Sequence, residues 1–151
     1  MGNGRPFFAK LLSPKKRNVR LAKKSNLNEI MIHDLRKIDH IPNGSIQFRS
    51  KTKMLVSTKN NLSSNKLKKL KQLTDAPIEI TDSNKQYKKR IYKLKYKKHS
   101  LQSFAVEMEA DGGIPIKRLV NGFSVIPNIS SILNTDCFCE KFDVDQIYLS
   151  K

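Results

Sequence analysis

Tyr92-Lys-Leu-Lys-Tyr-Lys97, followed by Phe104-Ala-Val-Glu-Met-Glu109, is the stretch that decides the fold. In the first run Tyr92, Leu94 and Tyr96 alternate with Lys93, Lys95 and Lys97. In the second, Phe104, Val106 and Met108 alternate with Ala105, Glu107 and Glu109. Strand side chains point to opposite faces in turn, so this period of two predicts two strands, each with one face in a core. A turn near His99-Ser100 makes the pair antiparallel. The lysine row then faces away from the core, and the acidic positions of the second strand are expected to pair with it across the ladder. Asp111-Gly112-Gly113 closes the unit, its glycines allowing a tight turn or a close backbone approach.

Outward from this hairpin the pattern stays α+β. Phe7–Leu12 and Asn18–Leu21 read as short strands. Residues 27–41 fit either a helix, through Leu27, Ile30, Met31, Leu35 and Ile38, or a strand, through the alternation of Ile30, Ile32 and Asp34. Pro42-Asn43-Gly44-Ser45 is a turn, and Met54–Thr58 a strand. Ser63 can cap a helix whose face is Leu67, Leu70 and Leu73, with Leu62 stapled onto Leu67 and Lys66, Lys68, Lys69 and Lys71 on the other side. Pro77–Thr81 reads as a strand, and Ile116–Val120 and Asn128–Leu133 as short helices. Cys137–Tyr148 reads as a final strand with Phe138, Phe142 and Val144 in the core. The expected fold is a mostly antiparallel sheet with a few short helices. No repeat or long linker divides the chain, so residues 1–151 are expected to form a single domain.

Charge is distributed unevenly. The 151 residues include 30 Lys or Arg and 13 Asp or Glu, a net charge of +17. Residues 1–98 hold 26 basic and 6 acidic residues, whereas residues 99–151 hold 4 and 7. A basic half of +20 beside a near-neutral half of −3 is an electrostatic footprint for a polyanion, since each phosphate neutralised releases a condensed counterion. Lysine supplies 23 of the basic residues, which suits phosphate contact better than base reading. The expected phosphate contacts are Lys88, Lys89, Arg90, Lys93, Lys95 and Lys97, then Lys15, Lys16 and Arg17, with Arg5 beside them.

Other classes are excluded. No apolar run approaches the roughly 20 residues that span a bilayer. No secretory h-region precedes Pro14, and no basic amphipathic helix has an aromatic face, so no membrane partner is expected. Cys137 and Cys139 cannot build a disulfide framework, which points to a reducing cytoplasm. Their one-residue gap is too short for a zinc pair, and His33, His40 and His99 are scattered, so no metal is expected. No nucleophile elbow or phosphate loop is complete. Lys117 and Arg118 stand out in an apolar stretch. One short helical turn cannot bury both, so one is expected in solvent and the other near an anionic group at a cleft edge.

At this segment the chain resembles the archaeal and eukaryotic tRNA pseudouridine synthase family of the T-arm 54/55 type. The family's glycine, aromatic, Ile-Lys, acid, apolar pair and later glycine are similar to Gly113-Ile-Pro-Ile-Lys-Arg-Leu-Val-Asn-Gly122. Pro127-Asn-Ile-Ser-Ser-Ile132, Phe142-Asp-Val144 and Gly2-Asn-Gly-Arg-Pro-Phe7 resemble further family segments, in order along nearly the whole chain. The match departs at Pro115 (an aromatic in the family), at Arg118 and Phe123 (acids), at Ser124-Val125 (Arg-Thr), and at Thr52 and Lys53, where a base-packing tyrosine is expected.

The resemblance implies a cofactor-free isomerisation of uridine in tRNA. It implies that Lys117 is the electrostatic partner of a catalytic aspartate, with Gly113, Ile116 and Leu119 shaping the substrate site. That aspartate lies before the Gly-Arg-Pro-Phe segment, so it is expected in a separate N-terminal catalytic segment. Residues 1–151 are then a C-terminal portion of a catalytic domain, inactive alone. A second reading is a non-catalytic basic RNA-binding module, such as a ribosome-associated one. A third is a basic protein of chromatin.

Overall fold

The two alternating runs form the antiparallel hairpin they predict, as strands β6 (Ile91–Lys98) and β7 (Ser103–Asp111). The structure is a computed structural model that describes residues 9–10, 12–13, 15, 24–27, 30–33, 36–41 and 46–149. The described residues form two compact units, one within residues 4–46 and one from Gln47 onward.

In the first unit, β1 (Lys24–Leu27) and β2 (Ile30–His33) pair antiparallel, Lys24 opposite His33 and Leu27 opposite Ile30. The ambiguous segment is therefore strand rather than helix at residues 30–33, where β-branched Ile30 and Ile32 alternate. Residues 36–41 are irregular and exposed. Ala9, Lys10 and Leu12 are not in a strand, against the strand expected over Phe7–Leu12. Asn18–Leu21 and the Pro42–Ser45 turn lie outside the described residues.

In the second unit β3 (Phe48–Thr58) pairs with β7 on one side and with β9 (Cys137–Leu149) on the other, giving an antiparallel sheet ordered β6-β7-β3-β9. One face carries Thr52, Met54, Val56, Phe104, Val106, Met108, Ala110 and Ile91, all buried. Against that face lies α1 (Ser64–Lys68), which passes into a 3-10 segment, Lys69–Thr74. Ser63 caps it as expected, its Oγ accepting from Lys66 N at 3.2 Å. The tightening follows the spacing of Leu67, Leu70 and Leu73, since side chains three apart eclipse in a 3-10 turn. All three are buried, as is Leu62. Strands β4 (Ile78–Asp82), β5 (Lys85–Lys89) and β8 (Val125–Ile126) form a smaller antiparallel sheet ordered β5-β4-β8. Helices α2 (Ile116–Asn121) and α3 (Ile129–Leu133) complete the unit, so the fold is α+β with mainly antiparallel sheet.

Three core expectations are corrected. Tyr92 is not on the buried face. The register slips between Ile91 and Lys93, so Ile91 takes the core position opposite Ala110 and the extra residue turns Tyr92 to the open face. Phe138 lies opposite Ser57 on that same outer face and is 56% exposed. Phe142 lies opposite Met54 but stays 41% exposed, because β9 is an edge strand. In the first part of β9 the inward positions belong to Cys137, fully buried, and Cys139, packed against the core, in place of Phe138. Val144 is half-buried.

Candidate nucleic-acid interface and the Lys117 site

The four-stranded sheet has a second, open face, and it is charged. Period two places Lys93, Lys95 and Lys97 of β6 there, opposite Glu109, Glu107 and Ala105 of β7. Arg49, Lys51 and Lys53 of β3 stand beyond that acidic strand. The expected cross-ladder pairing is present: Lys93 Nζ lies 3.3 Å from Glu109 and Lys51 Nζ 3.1 Å from Glu107. Lys53 lies 2.7 Å from Asp145 of β9. That hydrogen bond raises the Lys53 ammonium and lowers the Asp145 carboxyl relative to their ordinary values. Among the described residues Lys95 and Lys97 have no ion-pair partner and are exposed. The rows alternate cation, anion, cation, with unpaired lysines left on the β6 edge, where charge also blocks strand addition.

The other expected phosphate contacts are dispersed. Lys88 of β5 pairs with Glu79 of β4 at 3.0 Å. Lys89 is half-buried and Arg90 exposed between β5 and β6. Lys15 is exposed within the first unit. Arg5, Lys16 and Arg17 lie outside the described residues.

Lys117 is the second residue of α2 and points into solvent, while Ile116 and Leu119 are buried in the core. Gly113, just before the helix, is exposed with φ +86°, a left-handed conformation that glycine adopts without strain. Gly112 serves the other expected purpose: a Cβ built there would meet the Phe48 ring at 2.2 Å. Burial raises the Cys139 thiol, and the Lys117 charge offsets part of that rise.

Arg118 takes the other role expected of the pair, a cation held near an anionic group. Its Nε donates to Phe123 O at 3.0 Å and a second nitrogen donates to Thr81 O. A third lies 3.7 Å from the Asp82 carboxylate. Arg118 thus fastens the turn after α2 to the end of β4.

Sequence patterning did not single out Arg49, Lys51, Lys53 or Tyr148 for the open face. The first three alternate with buried Thr52, Met54 and Val56, a period-two signal that was readable, but their meeting with β6 required the strand order. A polar concavity of about 720 Å³ lies elsewhere, lined by Lys59, Asn60, Asn121, Asn134 and Asp136 among others, and Lys117 does not line it. Among the described residues no three His, Cys, Asp or Glu side chains are arranged to hold a metal ion. No described helix is long and apolar enough to cross a membrane.

The family model for the C-terminal region of Pus10 matches residues 1–148. The chain belongs to the Pus10 C-terminal family. Curated relatives agree. The tRNA pseudouridine synthase Pus10 of Nitrosopumilus maritimus is 38% identical over 148 residues, covering 97% of this chain and 39% of that protein. The tRNA pseudouridine synthase Pus10 of Cenarchaeum symbiosum is 33% identical over 150 residues, covering 99% of this chain and 37% of that protein. The same-named protein of Methanocaldococcus jannaschii is 28% identical over 167 residues. The chain therefore spans about two fifths of the length of these Pus10 relatives.

Proposed function

We propose that this chain is the tRNA-binding C-terminal part of a tRNA pseudouridine synthase acting on T-arm uridine, with its catalytic aspartate supplied by a segment outside residues 1–151. The carrying observation is the Pus10 C-terminal match over residues 1–148. The unpaired Lys95 and Lys97 on an open sheet face support tRNA as the partner. Phosphates bound there release counterions, so affinity falls as salt rises.

Lys117 contributes the positive charge of the uridine site. An ammonium beside a carboxylate favours its ionised form, which is the state required for it to act on the uridine. Gly113 lets the chain turn into α2, and buried Ile116 and Leu119 anchor that helix so that Lys117 is presented from a fixed backbone. Residues 1–151 act in this proposal as one portion of a catalytic domain in the cytoplasm, whose reducing conditions suit two free thiols.

The test is pseudouridine formation on tRNA by the chain alone and with the N-terminal segment of a Pus10 relative. The expected result is no product alone, product with the segment, and loss of product in Lys117→Ala. Lys95→Glu with Lys97→Glu should weaken tRNA binding and flatten its salt dependence. Product from the chain alone would overturn the divided site. Binding that never yields product with any segment would favour the non-catalytic RNA-binding module.

A further inference from the structure

We infer that the open sheet face carries a stacking platform for unpaired nucleobases, built from Tyr92 and Tyr148 with Arg49 between them. The inference rests on the RNA-binding reading above and names what part of the RNA this face takes.

One row of side chains crosses the whole sheet. Arg49 of β3 stands opposite Asp111 of β7 on one side and Tyr148 of β9 on the other. The slip in β6 brings Tyr92 to the same face, beside Asp111. Each member is fixed by its neighbour. The Tyr92 hydroxyl donates to Asp111 Oδ1 at 2.9 Å, and the backbone N–H of Arg90 holds the other carboxylate oxygen at 2.7 Å. The Arg49 guanidinium lies 3.8 Å from the centre of the Tyr92 ring. The Tyr148 hydroxyl donates to Gln146.

These rings remain open to solvent despite that ordering: Tyr92 is 37% exposed and Tyr148 45%. A ring held in one orientation loses little further freedom when a flat partner lands on it. Nucleobases are such partners, and they stack on tyrosine rings and on guanidinium planes. A base inside a duplex has both faces covered, so only an unpaired strand fits. The two tyrosines lie on the two edge strands, whose backbones are three strand steps or about 14 Å apart. Each site therefore takes a separate base. One lands on the Tyr148 ring, the other on the stacked pair of Arg49 and Tyr92, where the guanidinium already covers one face of the ring.

Charge beside the row completes the fit. Tyr148 shares a depression of about 260 Å³ with Lys51, Lys93, Lys95, Glu107 and Glu109. The two carboxylates pair with Lys51 and Lys93, which leaves Lys95 as its unpaired cation. The unpaired Lys95 and Lys97 extend along β6 from it, where the backbone of a strand leaving the tyrosines would run.

The test compares binding of a short single-stranded RNA and of the same sequence as a duplex by the full chain, over a series of salt concentrations. Tyr92→Ala and Tyr148→Ala are each expected to weaken single-strand binding about tenfold, leaving duplex affinity and salt slope unchanged. Tyr92→Phe and Tyr148→Phe keep the ring but lose the hydroxyl that orders it, and should bind more weakly than the parent yet more tightly than the alanine variants. The chain has no tryptophan and four tyrosines, so tyrosine emission should fall as single strand is added, and fall less in the Phe variants. Circular dichroism melts establish that each variant is folded. Alanine variants that bind single strand like the parent, while Lys95→Glu with Lys97→Glu weakens tRNA binding, overturn the platform and leave the phosphate reading standing. Equal loss on single strand and duplex overturns it too, as does loss of association with a protein segment in place of RNA. If the parent binds no RNA, the RNA-binding reading itself fails.

Discussion

The Lys117 charge opposes the burial that raises the Cys139 thiol, and its effect is measurable without any substrate. Burial raises the thiol and the ammonium lowers it, so Lys117→Met should raise it further and slow alkylation of Cys139 by iodoacetamide at mildly alkaline pH. An unchanged rate would separate the two groups. Cys137 is more deeply buried and, with its thiol raised by burial first, should react more slowly than Cys139 in the parent. Gly112 makes a packing prediction. Its missing side chain admits the Phe48 ring, so Gly112→Ala should cost about 1–3 kcal/mol in a denaturant titration. The residue identities at both places were legible from sequence. The Phe48 neighbour was not, because it lies more than sixty positions away and meets Gly112 only through strand pairing, where Gly112 N donates to Phe48 O at 2.7 Å.

At the scale of elements, short pieces depend on their ends. Helix α3 has five residues, too few to be stable through its own ladder. Its start is a reciprocal capping box in which the Asn128 side chain accepts from Ser131 N at 2.8 Å and the Ser131 hydroxyl accepts from Asn128 N at 3.4 Å. Asn128→Ala should therefore lower stability by about 1–2 kcal/mol in thermal or denaturant unfolding. Asn128→Asp should not restore it, because the Asn128 Nδ2 also donates to Val125 O at 3.0 Å in a buried setting and a carboxylate cannot. The helix was readable from its Asn-x-x-Ser start and apolar spacing. The same local logic placed α1, whose Ser63 cap is seen, but its passage into a 3-10 segment depends on the core that Leu70 and Leu73 fill. Strand β9 is readable as a strand, and Phe142 and Val144 lie opposite buried residues of β3, but Phe138 faces outward. Phenylalanine is the larger apolar residue, but the register shift between Leu55 and Val56 turns Cys137 and Cys139 inward.

For the molecule as a whole, the Lys53–Asp145 pair on the open face and the buried Cys137 thiol give the pH response its sign. Asp145 is lowered by its hydrogen bond to Lys53, so the stability it contributes is present above its unfolded pKa and lost as pH falls through the folded one. Lys53 and Cys137 are raised, so their contributions are present below their unfolded pKa values and lost as pH rises through the folded ones. Unfolding free energy measured against pH should hold steady near neutrality and decline toward both ends. Asp145→Asn should flatten the acid side, and an unchanged acid limb would remove Asp145 from the account.

The sequence by itself determined the α+β class, the central hairpin, the basic character of residues 1–98 and the Lys117 segment. Each depends on residues near one another in the chain, through alternation, capping or local charge. Tertiary structure alone decided which lysines remain unpaired and where the aromatic rings stand. Those outcomes turn on register: one extra residue at Tyr92 exchanges a core position for a surface one, and the strand order β6-β7-β3-β9 sets acids between two rows of cations. A pattern along one strand records its two faces but not the neighbour it will meet.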